Sequence, residues 1–315
     1  MLQENEMYRK VADTCQLDTA EAFCLQSRIH RLQWFGRSDI WVKRDDELSF
    51  GVSGTKLRKH ASIIPFLKQQ GIEEVVVIGG ANSNNVLSAA QTLTENRIKI
   101  TLFLLGPPTR KQGNLRLLSL FVDDSDIHWF SRAQWGRCEE FANAYSAERT
   151  LRGLKTFVLP EGAHHRLALP GSLSLPLDIL RNEREAGVRF DHIFINSGTG
   201  MIAQSLLAVA AALDMKAFFH VVVLAGSYEE FQSGLLRVIN TRGIFLAFPL
   251  VPYLTTANTT LRPPGRLAAL TRRFLRKYNA LHGRPALSRT PYILLNCFLR
   301  QDKRSATRRS RETYS

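Results

Sequence analysis

Cysteine is scarce in this sequence: Cys15, Cys24, Cys138 and Cys297 are the only four in 315 residues. Their spacing matches neither a disulfide framework nor a metal-binding pair, so free thiols in a reducing cytoplasm are expected. Long apolar runs are also missing. The most apolar window, SLLAVAAALDMKAFFHVVVLAG, is broken by Asp214, Lys216 and His220, which argues against a membrane span. The polar start MLQENEMYRKVADTCQ lacks the apolar centre of an export signal. There is no internal repeat, no spaced dinucleotide fingerprint and no P-loop. Acidic residues are outnumbered 28 to 42, for a formal net charge of +14. The imbalance is local, because residues 261–315 hold 14 Lys and Arg against Asp302 and Glu312, leaving the first 260 residues at +2. The excess is a basic tail rather than a basic fold, and from Arg284 onward only Tyr292, Phe298 and Tyr314 can stack on bases. No specific nucleic-acid partner and no membrane partner are expected.

With 44% hydrophobic residues the chain can bury a substantial core and is long enough for two domains. From Ile40 onward, short β-branched runs alternate with segments of helical period. IWVK, EEVVVIG, IKITLFLLG, IHWF, KTFVLP, DHIFINSG and AFFHVVVLAGS each precede a helix-like stretch. The pattern predicts an α/β fold of mostly parallel sheets flanked by helices. Strands near 74–79, 98–105, 126–129 and 155–158 group into one unit, and those near 191–195 and 218–224 into another. After about Leu281 the alternation stops, and the polar, basic end reads as a disordered tail.

Three glycine- and hydroxyl-rich turns lie between strands and helices: GVSGTKLRK, IGGANSNNVLS and INSGTGMIAQS. In parallel α/β folds, ligands sit beyond the carboxyl ends of strands, where helix N-termini donate N–H groups. Ser197, Gly198, Thr199 and Gly200 therefore read as a phosphate cradle. In the first turn, Lys56, Arg58 and Lys59 crowd the positive end of a helix, which is unfavourable by roughly 0.3–1 kcal/mol per exposed cation. A neighbouring anion or an uncharged lysine is required, and Lys56 with a depressed pKa suits Schiff-base chemistry with an aldehyde cofactor. In the second turn one polar residue suffices to cap the helix. The surplus of Ser83, Asn84 and Asn85 fits hydrogen bonding to a cofactor hydroxyl and a substrate carboxylate. KRDDE at 43–47 reads as a charged turn rather than a catalytic carboxylate pair. EGAHHR offers no third metal ligand at recognisable spacing, so His164 and His165 read as loop residues near the site and no metal is expected.

Together VKRDDELSFGVSGTKLRK, IGGANSNNVLSAAQ, LPEGAHH and INSGTGMIAQSL resemble the pyridoxal-phosphate enzymes grouped as D-cysteine desulfhydrases and 1-aminocyclopropane-1-carboxylate deaminases. The likeness runs over roughly residues 35–283. It implies the two-domain tryptophan-synthase-β-like fold (fold type II), with residues 1–58 and 163–283 as the large cofactor-binding domain and 59–162 as the smaller one. The Schiff-base lysine maps onto Lys56, which with Ser83 is taken as catalytic. Asn84, Ser197, Gly198, Thr199 and Gly200 map onto cofactor-binding positions, and Ser83, Asn84 and Asn85 onto substrate-binding ones. The implied cofactor is pyridoxal 5'-phosphate and the partner a small amino acid, in a homodimer.

The sequence departs from that pattern twice. Met201 and Ile202 stand where relatives usually have a small residue and Thr, and are expected to crowd the phosphate. Relatives also carry a segment resembling Leu-Asp-Pro-x-Tyr-x-x-Lys beside the cofactor ring, where this chain has RPALSRTPYILLNCF. Read one base out of phase, synonymous codons for 289–297 can encode Asp-Pro-Leu-Tyr-Ser-Ala-Lys-Leu. A frameshift near Arg284 is therefore expected, with 284–315 a non-family basic tail. A catalytically inactive relic and, last, a basic-tail nucleic-acid binder are the competing readings.

Overall fold

The computed structural model describes residues 6–15, 23–32, 39–49, 51, 53–106, 112–241 and 292–295. Helix α1 (Glu6–Cys15) precedes the short strands β1 (Ile29–Arg31) and β2 (Ile40–Lys43). The chain then alternates through α2 (Lys56–Gln69), β3 (Glu74–Gly80), α3 (Asn84–Glu95), β4 (Lys99–Leu105), α4 (Asn114–Leu118), β5 (Ile127–Phe130), α5 (Arg132–Trp135), α6 (Cys138–Leu151) and β6 (Thr156–Leu159). There follow α7 (Leu169–Ser172), α8 (Ser174–Ala186), β7 (His192–Ser197), α9 (Met201–Ala212), β8 (Phe218–Val223), α10 (Tyr228–Ile239) and finally β9 (Tyr292–Leu295). Local signals set several boundaries. Gly187 at φ +63 ends α8 in the left-handed conformation, and a reciprocal Ser227–Glu230 capping box starts α10. The stretch RAQWGRCEEFANAYSAE, continuous in its pattern, divides into α5 and α6 at Gly136 and Arg137.

β5, β4, β3 and β6, in that order, form one parallel sheet. Its strands are buried on both faces: Val75 and Val77 pack with Leu87, Leu102 and Leu104, while Val76 and Ile78 pack with Phe103, Phe130 and Cys138. This two-sided burial explains the uninterrupted apolar runs of β3 and β4. The second sheet runs β1-β2-β9-β7-β8 and is parallel except for the β1–β2 pair. Among the described residues no helix is long and apolar enough to cross a membrane. Cys15, Cys24 and Cys138 are free thiols, and Cys297 lies outside the described residues.

The disordered-tail reading of 284–315 is corrected at four residues. Tyr292–Leu295 is β9, in the middle of the larger sheet, with Tyr292 opposite Ile40 of β2 on one side and His192 of β7 on the other. A four-residue apolar run shows no helical period and is too short to announce itself as a strand. The remainder of 284–315, and the FLRKYNALHG segment before it, lie outside the described residues.

A buried ionic network joins the start of α2 to the rest of the fold. Arg58 donates from Nη2 to Asp45 Oδ1 at 2.7 Å, from Nε to Asp45 Oδ2 at 2.8 Å, and from Nη2 to Asp178 Oδ2 at 2.8 Å. Lys43 reaches Asp178 at 2.5 Å and Asn182 at 2.6 Å, and the side chains of both cations are fully buried. The charged-turn reading of KRDDE holds for Arg44, Asp46 and Glu47, which pair at the surface. Asp45 departs from it as the counter-ion of Arg58. Burial alone would raise the Asp45 and Asp178 carboxyls, but Arg58 outweighs it, with Lys43, and holds both below the usual carboxylate range.

Removing one partner of such a network leaves uncompensated buried charge, so Arg58→Met should lower the unfolding free energy by about 3–5 kcal/mol in denaturant titrations. Both carboxyl values are depressed on folding, so the contribution is full above the ordinary value of 3.8 and is lost as pH falls through the lowered folded values. Arg58→Met should accordingly flatten the acid limb of the stability curve. A variant as stable as the parent, with the same acid limb, contradicts this account.

Candidate active site

Lys56 opens α2. The hydroxyl of Thr55, which precedes it, is committed to Asp45 Oδ2 at 2.6 Å, so no side chain caps the helix. Among the described residues the Lys56 amine makes no hydrogen bond or ion pair, and burial, opposed by Asp45, pulls its pKa below the ordinary value. The next two cations diverge, because successive helical residues point about 100° apart. Arg58 enters the ionic network. Lys59 turns the other way and donates to the Gly162 carbonyl at 2.7 Å. Burial, with the charge of Lys56 adding, brings Lys59 down to about 7. The anion demanded by the crowded helix start is thus Asp45, together with Asp178, rather than a bound phosphate alone.

The second turn follows β3. Ser83 caps α3, its Oγ accepting from the N–H groups of Asn85 at 3.2 Å and Val86 at 3.4 Å. Asn84 is exposed, with Oδ1 taking a 2.7 Å bond from Asn114 that leaves its Nδ2 free to donate. Asn85 is buried, yet neither polar atom of its carboxamide has a partner among the described residues. A buried polar group in that state is costly unless a ligand completes it.

The third turn follows β7. Ser197 is buried with its Oγ unpartnered among the described residues, Gly198 and Thr199 are exposed, and Gly200 at φ +99 begins α9 without a side-chain cap. Among the described residues no side chain caps the first N–H groups of α9, and uncapped helix starts are places where anions bind.

What brings the three turns together is the loop dismissed for want of a metal ligand. Gly162, at φ +67, lies so close to Thr199 that a Cβ there would fall 2.2 Å from Thr199 Cγ2. The same 161–163 turn packs on β3 and α3 and supplies the carbonyl that holds Lys59. His164 hydrogen-bonds the main chain of Thr199, while burial and the Lys59 charge keep it below the ordinary 6.5. Sequence reasoning passed over Lys59 and Gly162. The recoverable signal was a glycine directly before the two histidines, in a turn following a strand. Among the described residues no group of three His, Cys, Asp or Glu could hold a metal ion.

No protein-family model matches the chain. It is 24% identical over 199 residues to the D-cysteine desulfhydrase of Serratia proteamaculans, covering 61% of this chain and 59% of that protein. It is 27% identical over 189 residues to the bifunctional D-cysteine desulfhydrase/1-aminocyclopropane-1-carboxylate deaminase of Arabidopsis thaliana, covering 56% and 47%. A putative 1-aminocyclopropane-1-carboxylate deaminase of Thermotoga maritima is similar at 28% identity over 186 residues, covering 59% of this chain and 57% of that protein. The matched part spans 47–59% of the length of these curated relatives. The crystal structure of a 1-aminocyclopropane-1-carboxylate deaminase homologue superposes with a TM-score of 0.71, at 19% identity, over 91% of this chain and 93% of that one. Diaminopropionate ammonia lyase of Escherichia coli gives 0.52 at 12% identity over 73% and 67%. The fold is fold type II of the pyridoxal-phosphate enzymes.

Against these relatives, the expected effect of Met201 and Ile202 is overturned. Both side chains are buried and point into separate cores, Met201 among residues of the smaller sheet and Ile202 with Ile193, Ile195 and Phe231 beside the larger one. They are packing residues of the first turn of α9 and do not crowd the cradle. Ile202→Thr, which places an unpaired hydroxyl in that core, should destabilise by about 1–3 kcal/mol. A thermal or denaturant midpoint unchanged by the substitution runs against this placement.

Proposed function

We propose that the chain is a cytoplasmic, pyridoxal-phosphate-dependent lyase or deaminase of small amino acids. Its substrate would be D-cysteine, yielding pyruvate, ammonia and sulfide, or 1-aminocyclopropane-1-carboxylate, yielding 2-oxobutyrate and ammonia. The observation that carries the reading is the uncommitted amine of Lys56 beside turns whose buried polar atoms, Ser197 Oγ and both ends of Asn85, lack partners. These groups fit the cofactor: an amine for its aldehyde, and an uncapped helix start for its phosphate. The names of the relatives support the substrate class.

Bound there, the cofactor would supply an electron sink at the substrate α-carbon. The protein supplies the rest. The amine of Lys56, favoured in its neutral form by burial, would hold the cofactor through its aldehyde and, once released by the substrate's own amine, would move a proton at the substrate α- or β-carbon. Lys59 and the N–H groups of the 197–200 turn would hold the phosphate, with the hydroxyl of Ser197. Asn84, oriented by Asn114, would donate to the phenolic oxygen. Ser83 and Asn85 would bind the substrate carboxylate, giving the carboxamide of Asn85 a partner.

Purified protein mixed with pyridoxal phosphate should develop a visible absorption band that Lys56→Ala abolishes, and should release pyruvate with sulfide, or 2-oxobutyrate, from the two substrates. A band that survives Lys56→Ala removes the assignment. Because burial depresses Lys56, the rate of band formation should rise with pH through a midpoint below 10.5. A version with the reading frame restored at Arg284 should turn over substrate faster, since the ring-facing tyrosine segment of relatives is missing here. Equal activity in the two versions counts against the frameshift.

A further inference from the structure

Gln204 is the fourth residue of α9, and its side chain folds back over the turn that begins the helix. It is 2% exposed. Its Nε2 donates to the Phe231 carbonyl of α10 at 3.1 Å, while its Oε1 has no hydrogen-bond partner among the described residues. The carboxamide occupies room that glycine leaves on both sides. A Cβ at Gly200 would lie 2.4 Å from Nε2, and one at Gly234 of α10 would lie 2.2 Å from it. Gly200 closes the 197–200 turn at φ +99, and Gln204 N–H also donates to the Gly200 carbonyl at 2.9 Å. The surroundings do not call for a polar group: Ile202, Ala203, Leu206 and Phe231 form an apolar cluster there. Burying a carboxamide with one end unmatched is costly, so its retention needs a reason beyond packing.

We propose that Gln204 is a positioning residue which, wedged between Gly200 and Gly234, sets the 197–200 turn so that its N–H groups converge on a phosphate monoester. The anchor is α10: with Nε2 held by the Phe231 carbonyl, the carboxamide props Gly200 from behind and fixes the left-handed backbone from which α9 starts. A preorganised turn binds the anion without first having to be ordered, and the benefit falls on the phosphate end of a ligand alone. The role rests on the pyridoxal-phosphate reading, in which that phosphate fills the turn.

The test compares binding of pyridoxal phosphate with that of pyridoxal, which lacks the phosphate, by visible absorption of the full chain. Gln204→Leu removes the wedge. Gly234→Ala touches no residue of the turn, yet fills the space of the carboxamide and displaces it; alanine is otherwise the better residue in a helix interior. Each variant should lose about tenfold of the preference for pyridoxal phosphate over pyridoxal, the scale of one charge-assisted hydrogen bond, with pyridoxal affinity unchanged. Should Gln204→Leu fail to fold, Gly234→Ala carries the test. Variants that keep the parental preference, or lose both ligands by the same factor, overturn the role of Gln204 alone. A parent protein that binds neither aldehyde overturns the cofactor reading, and this role with it.

Discussion

A guanidinium without solvent exposure must have its charge met inside the protein, and Arg58 has it met by Asp45 and Asp178. Asp45 follows β2 and Asp178 lies on α8, so one side chain of α2 is tied to two separate elements of the larger unit. Farther along the same helix, Ile63, Ile64 and Leu67 enter the core of the smaller sheet. α2 is therefore a bridge, ion-paired at its start and apolar at its end. Lys56 and Lys59 stand on either side of Arg58, and their directions follow from the direction in which it is fixed.

Around that bridge the fold gathers the ends of parallel strands. β3 delivers Ser83, Asn84 and Asn85 at the start of α3, and β7 delivers Ser197 and the turn that opens α9. Neither strand belongs to the other's sheet, so their approach depends on something that touches both. The 161–163 turn does so, lying on β3 and α3, against Thr199, and under the amine of Lys59. The outcome is a region where uncapped helix starts and buried lysines with lowered pKa values coincide with polar atoms that have no partner among the described residues. Such a region is stable as a protein only at a cost, which an anionic ligand would relieve.

The similarity to known enzymes has the same shape as this physical picture. Identity of 24–28% to the curated relatives is concentrated in about half of their length, while the fold superposes over nearly the whole of the deaminase homologue's structure. At the start of α9, Met201 and Ile202 serve two cores at once, and Gln204 takes a polar place among apolar neighbours. β9 shows that part of the atypical C-terminus is integral to the larger sheet: its backbone pairs with strands on both sides.

The alternation of apolar runs and helical segments was enough to give the α/β class and the grouping of six strands into two sheets, because burial on both faces imposes a local and continuous hydrophobic signal. The three turns carrying Lys56, Ser83 and Ser197 were legible for a similar reason, since glycine and hydroxyl residues at the ends of strands mark places where backbone must approach closely. The partners were not legible. Asp45 is separated from Arg58 by 13 residues and Asp178 by 120, and adjacency to Asp46 in the sequence made Asp45 look like part of a surface turn. Lys59 and Arg58 are neighbours in sequence but opposites in space, since a helix turns consecutive side chains apart. By itself, the sequence determined most of the alternating strands and helices and where the glycine- and hydroxyl-rich turns between them lie. The tertiary structure alone decided which charges are neutralised, which lysine is left free, and which loop holds the turns together, because long-range pairing leaves no local pattern to read.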